Sequence, residues 1–167
     1  MSSTDVTTTP DLAAILAGVL GRVPPEQQPL LLAIAERLAA ERYRSWAGDA
    51  EGESRRSQLL ACAAREEEIA SRVEGLSPDA AAIEHDILRA NPDLEEINRS
   101  LFAGRPLSQQ FTIQATGERL GAATWRAFAR QDPRPHASQA FLSCAELEEQ
   151  NARALEAILE AERRPSP

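Results

Sequence analysis

The sequence predicts an all-α fold: an antiparallel four-helix bundle with one long crossover, an internal pseudo-two-fold repeat and an extra short N-terminal helix. Three observations carry this. Aromatic residues make up only 4% of the 167 residues, β-branched residues are scarce, and no alternating apolar–polar run is long enough for a strand. Gly and Pro fall largely in the gaps between long Ala/Leu/Glu/Arg runs, where helices begin and end. Finally, the chain contains one stretch twice. With an ungapped offset of 82 residues, 36–76 lies on 118–158 with thirteen of forty-one positions identical, both cysteines among them. One register joins two separate helical stretches, which is the mark of a duplicated helix–turn–helix unit with an insert between the copies.

In chain order, 1–10 is polar and Ser/Thr-rich and is expected to be disordered, and it lacks the basic segment of a signal peptide. Asp11 then opens a short helix over Leu12–Leu20, stopped by Gly21 and Pro24-Pro25. It is apolar around most of its circumference, so either the rest of the chain or a second subunit must cover it. A homo-oligomer, a dimer joined through 12–20, is the expectation. The first long helix runs from about Glu26 to Ala47 and ends at Gly48-Asp49. The second runs from about Glu53 to Glu74 and closes at Gly75. Residues 77–105 form the crossover, with short helices opened by Ser77-Pro78-Asp79 and Asn91-Pro92-Asp93, the latter running to Gly104. The third long helix spans about Pro106 to Arg130. A breaker, Asp132-Pro133-Arg134-Pro135, separates it from the fourth, about Ala137 to Arg163, and 164–167 should fray. A tight hairpin, a long connection and a second tight hairpin make one bundle domain over 11–163, with halves at about 26–76 and 106–163.

Charge and cysteine content restrict the function. A net charge of −8 argues against nucleic acid and anionic membrane surfaces as partners. Two cysteines without a Cys-x-x-Cys give no disulfide framework and suit a reducing compartment, so a cytoplasmic protein is expected. The longest apolar run, Leu12–Leu20, is too short to span a bilayer.

Helical phase singles out four carboxylates. Leu59, Cys62, Ala63, Ile69, Ala70 and Val73 recur at spacings of three and four, and Glu66 falls inside that stripe. Glu148 and Asn151 fall among Phe141, Cys144, Ala145, Ala152, Leu155 and Leu159. Glu36 lies with Leu32, Ala39, Tyr43 and Ala47, and Glu118 with Phe111, Ala115, Ala122, Trp125 and Ala129. Each long helix thus aims one carboxylate at the bundle axis, with no Arg in the stripes to neutralise it. A buried carboxylate is costly unless paired, protonated or metal-bound; proton sharing, with hydrogen bonds from Tyr43, Trp125 and Asn151, is the reading that needs no metal. Glu67, Glu68, Glu74, Glu149 and Glu156 lie off the stripes and read as solvated. His85 and His136 stand away from the bundle centre. Cys62 and Cys144 read as small core residues on opposite sides of the midpoint, too far apart to bridge.

With Glu36…Tyr43 and Glu118…Trp125 each placing an aromatic two turns after the first carboxylate, the sequence resembles the ferritin-like superfamily, and within it the rubrerythrin-like di-iron carboxylate proteins. The resemblance covers about 26–163. It implies a di-metal site with Glu36, Glu66, Glu118 and Glu148 as ligands and a Glu-x-x-His on the second and fourth long helices. Here those motifs read Glu66-Glu67-Glu68-Ile69 and Glu148-Glu149-Gln150-Asn151, so Ile69 and Asn151 stand where the family has histidine. Four carboxylates could still suit Mn²⁺, Fe²⁺ or Mg²⁺, but loss of metal is the leading expectation, and ferroxidase or peroxidase activity is not expected. The reading favoured by sequence is a binding or oligomeric scaffold with a degenerate di-metal site. Its alternative is an Fe- or Mn-binding protein with an all-carboxylate site and oxidoreductase activity. A third reading uses the Glu cluster for acid–base chemistry on an organic ligand.

Overall fold

The structure is a computed structural model, and residues 8–164 are described. The stretches 1–7 and 165–167, where disorder and fraying are expected, lie outside the described residues. Of the flanking positions, the Thr8 carbonyl accepts a hydrogen bond from Arg105 Nη1 at 3.1 Å.

Every described element is helical: α1 (Leu12–Leu20), α2 (Gln28–Asp49), α3 (Glu53–Glu74), α4 (Ala80–Ala90), α5 (Leu94–Ser100), α6 (Leu107–Gln131) and α7 (Pro135–Arg163). Their bounds follow local chemistry. Asp11 caps α1 by accepting from the Ala14 N–H at 3.0 Å. A 3₁₀ turn over Pro25–Gln27 precedes α2, so the expected start at Glu26 moves to Gln28. Pro135 is the first residue of α7 rather than part of the breaker, because a proline at a helix start gives up only an N–H that has no partner there. The last crossover helix stops at Ser100, and a turn occupies 101–104. Among the described helices, none is long and apolar enough to cross a membrane.

Gly52 makes the tight link between α2 and α3. Its φ of +94° lies where side chains are strongly disfavoured. Gly52→Ala is therefore expected to lower stability by about 1–3 kcal/mol, read as an earlier urea midpoint at unchanged m-value.

Ion pairs reproduce the internal repeat. Arg37 pairs with Glu74, and Arg44 with Glu67 at 3.0 Å, across the antiparallel α2–α3 hairpin. At the same offset of 82, Arg119 pairs with Glu156 at 2.8 Å and Arg126 with Glu149 at 2.6 Å across α6–α7. The off-stripe Glu residues thus sit at the surface in ion pairs. The halves meet where α3 packs antiparallel on α7. There Asn151 Nδ2 lies 3.3 Å from the Cys62 carbonyl, and the equivalent pair, Cys144 Sγ and the Ile69 carbonyl, stands at 3.9 Å. This exchange of partners is what a pseudo-two-fold axis between α3 and α7 requires. It also keeps the cysteines two turns apart, and both are free and buried.

Buried apolar residues fall into two clusters. One joins the start of α2, the end of α3, the end of α6 and the start of α7, through Leu31, Ile69, Trp125 and Phe141. The other joins the opposite ends, through Tyr43, Leu59, Phe111 and Leu155. Helix α1 turns Leu16, Val19 and Leu20 onto the first cluster, so its own chain covers one of its edges.

Candidate metal centre

The two clusters leave one polar layer between them, and all four stripe carboxylates lie in it. Glu36 is 6% exposed, Glu66 0%, Glu118 2% and Glu148 2%, so the phase argument places each of them correctly. Glu36, Glu66 and Glu148 each contribute a carboxylate oxygen to a group within 4.8 Å of one another. Glu66 and Glu148 belong to the two helices that cross at the pseudo-two-fold axis, and Glu36 completes the group from α2. Glu118 is not in this group. Its Oε1 accepts from Tyr43 Oη and, at 2.8 Å, from Gln114 Nε2.

The other donors are distributed unevenly. Trp125 Nε1 donates to Glu148 Oε1 at 3.1 Å, and Asn151 Nδ2 donates to Glu66 Oε1 at 2.7 Å. Glu66 Oε2 is buried and accepts no hydrogen bond. Ile69, the repeat equivalent of Asn151, is fully buried and brings no donor. The two repeat-equivalent positions thus give the centre one polar partner and one apolar one. Asn151 in turn accepts from Arg65 Nη1 at 3.2 Å.

Gly121 provides room for Glu148. A Cβ at that position would lie 2.4 Å from Glu148 Oε1. The repeat equivalent of Gly121 is Ala39, so this cradle is built on one half only.

Burial governs the protonation of the centre. Desolvation pushes Glu36 up to about 7, and the nearby Glu118 carboxylate acts in the same direction. Glu66 and Glu148 are held well above the ordinary carboxylate range, first by burial and then by the neighbouring carboxylates. Three oxygens this close in a dry interior coexist either by sharing protons or by holding a cation. Tyr43 is raised by burial and by Glu118. Burial lifts the thiols of Cys62 and Cys144 to about 12, so neither is primed as a nucleophile. His85 is exposed, as is His136, and neither approaches the centre.

Sequence phase missed three polar participants. Gln114 lies one turn before Glu118, on the same stripe, and a polar residue in an apolar stripe was the available signal. Arg42 sits at the stripe edge beside Tyr43, where sequence does not distinguish an inward from an outward arginine. Arg65 reaches the layer by the length of its side chain. A cavity of about 180 Å³ opens between α1, α2, α5 and α6. Its floor includes Glu36, Glu118, Glu148 and Arg42.

A scan of protein-family models and searches of curated proteins and of solved structures find no match to this chain.

Proposed function

We propose that the chain is a ferritin-like four-helix bundle that binds one divalent cation, Mn²⁺ or Fe²⁺, through Glu36, Glu66 and Glu148. The observation that carries this is the convergence of three buried carboxylate oxygens within 4.8 Å. Two further features support it. Glu66 Oε2 lacks a hydrogen bond, and α6 presents a glycine where any side chain would displace Glu148. The donor set is hard and anionic, which fits Mn²⁺, Fe²⁺ or Mg²⁺ better than softer ions. The ferritin-like assignment draws on the one carboxylate from each long helix, the aromatic two turns after Glu36 and Glu118, and the repeat across α3 and α7. When bound, such a cation would supply Lewis acidity and, for Mn or Fe, a redox couple.

The residues around the centre have separate tasks. Trp125 and Asn151 orient Glu148 and Glu66 through one oxygen each. Tyr43 and Gln114 hold Glu118 back, which leaves three carboxylates rather than four for the cation. The two cores exclude bulk water from both sides.

Elemental analysis after anaerobic loading with Mn²⁺ or Fe²⁺ tests the reading. The expected result is near-stoichiometric metal in the wild type and none in Glu66→Ala/Glu148→Ala. Gly121→Ala is the finer probe. Alanine favours the helix, and the atom it meets is the end of a side chain that can swing away, so the variant should fold. Its metal affinity should fall about tenfold or more. Wild-type affinity in Gly121→Ala, or no metal in the wild type, would remove the proposal and return the centre to proton sharing.

A further inference from the structure

The cavity between α1, α2, α5 and α6 joins apolar walls to a charged floor. Leu16 and Val19 from α1, Leu32 from α2, Ile97 from α5 and Ile113 from α6 supply the walls. The floor sets three carboxylates, Glu36, Glu118 and Glu148, against one guanidinium, that of Arg42. Arg42 answers part of that charge while its own N–H groups donate to Gln114 and Asn98. The floor still carries more acid than base.

Glu36 marks where an occupant would be held. It is 6% exposed and lines the cavity. The donors of the polar layer are directed to the other three carboxylates. Trp125 Nε1 donates to Glu148, Asn151 Nδ2 to Glu66, and both Tyr43 Oη and Gln114 Nε2 to Glu118. A carboxylate stripped of water and given no such donor calls for one from outside the chain. An oxygen of Glu36 and one of Glu148 lie within 4.8 Å of one another. A nitrogen about 2.8 Å from each of two oxygens spans at most about 5.6 Å, so one ammonium can bridge this pair.

We propose that the cavity binds a small primary amine, its ammonium on Glu36 and Glu148 and its apolar body against Leu16, Val19, Ile97 and Ile113. An ammonium brings three N–H donors and no acceptor, which matches a floor of carboxylate oxygens. An anion would meet like charges there, and a neutral alcohol would forgo the charge on its hydrogen bonds. A cavity of about 150 Å³ holds benzene, so the volume of about 180 Å³ here admits a six-carbon ring bearing an aminomethyl group. The amine needs two of the carboxylates assigned to the divalent cation, so the two occupants exclude one another.

The test is calorimetric titration of metal-free protein with benzylamine, beside benzyl alcohol and phenylacetate, repeated after Mn²⁺ loading with manganese measured on the same samples. Benzylamine should bind metal-free wild type about tenfold or more tighter than either control, and Mn²⁺ loading should abolish that binding. Glu36→Gln keeps the shape of the side chain and gives up its charge. Ala35→Phe puts a ring into the lining and leaves every carboxylate in place. Each should weaken benzylamine about tenfold or more, and a cooperative melt shows that both fold. Equal binding of a control, undiminished benzylamine binding in both folded variants, or no benzylamine binding to wild type would overturn the inference. Benzylamine held alongside retained manganese would place it off these carboxylates and overturn the inference as well. Benzylamine binding in a protein that retains no manganese would sink the divalent-cation reading alone, and retained manganese without benzylamine binding would sink this inference alone.

Discussion

Trp125→Ala should cost about 3–5 kcal/mol of unfolding free energy, the largest loss expected from any single truncation in the core. The indole is 0% exposed. It stacks on Phe141 at 5.7 Å between centroids with 18° between planes, and meets Phe128 edge-on at 5.7 Å. Neighbours fixed on two helices cannot collapse to fill the space it leaves. The same ring holds Glu148 through its N–H, so truncation also strips a buried carboxylate of its donor. Trp125→Phe separates the two losses. It keeps ring packing and gives up the N–H, and should cost about 1–3 kcal/mol. Urea midpoints for the three proteins, measured free of metal, decide the matter. A loss below about 1.5 kcal/mol for Trp125→Ala would mean that the ring is not the keystone of the first cluster.

The second large effect is a stability that falls as pH rises. Glu36 has a folded value of about 7 against 4.5 unfolded, a raised carboxylate. A raised group contributes stability that is fully present below its unfolded value and is lost as pH climbs through the folded one. For metal-free protein, stability should therefore decline from about pH 4.5 to 7, by on the order of 3 kcal/mol for Glu36 alone. Glu66 and Glu148 shift in the same direction and extend the decline upward. Saturating Mn²⁺ should reverse the trend, since a cation replaces the shared protons and binds better as they leave. Glu84, raised to about 7 by burial and by Glu74, adds a decline of the same sign that Mn²⁺ does not touch. Melting temperatures from pH 5 to 8, with and without Mn²⁺, isolate the centre as the metal-dependent part. A metal-free protein that gains stability across that range would refute the shared-proton account.

The helices were legible in the sequence because their signals are local. Apolar spacing and Gly and Pro punctuation act within a turn or two, and they located the four long helices to within a few residues. The four inward carboxylates were legible for the same reason, since helical phase alone determines which face a residue occupies. The sorting of those four into three and one was not legible. It depends on Tyr43 from α2 and Gln114 from α6 reaching the same oxygen of Glu118, a convergence between helices that no spacing records. Arg42 was hidden by versatility: a long cationic side chain at a stripe edge can point either way. Gly121 stands where the other half of the repeat has Ala39, a difference with no periodic signal, and its use appears only when the Glu148 carboxylate is seen to rest on it.

The position of Glu66 and Glu148 at the axis between the halves has a bearing on how the chain assembles. The contacts within α2–α3 and within α6–α7 bridge short turns at 50–52 and 132–134, so each hairpin can form early and by itself. Joining the hairpins brings the two carboxylates together and strips both of water in one event. The cost of dehydrating these acidic groups therefore falls on the joining of the hairpins, not on the formation of either one. A proton or a cation at the seam would speed that closing step and would slow its reversal.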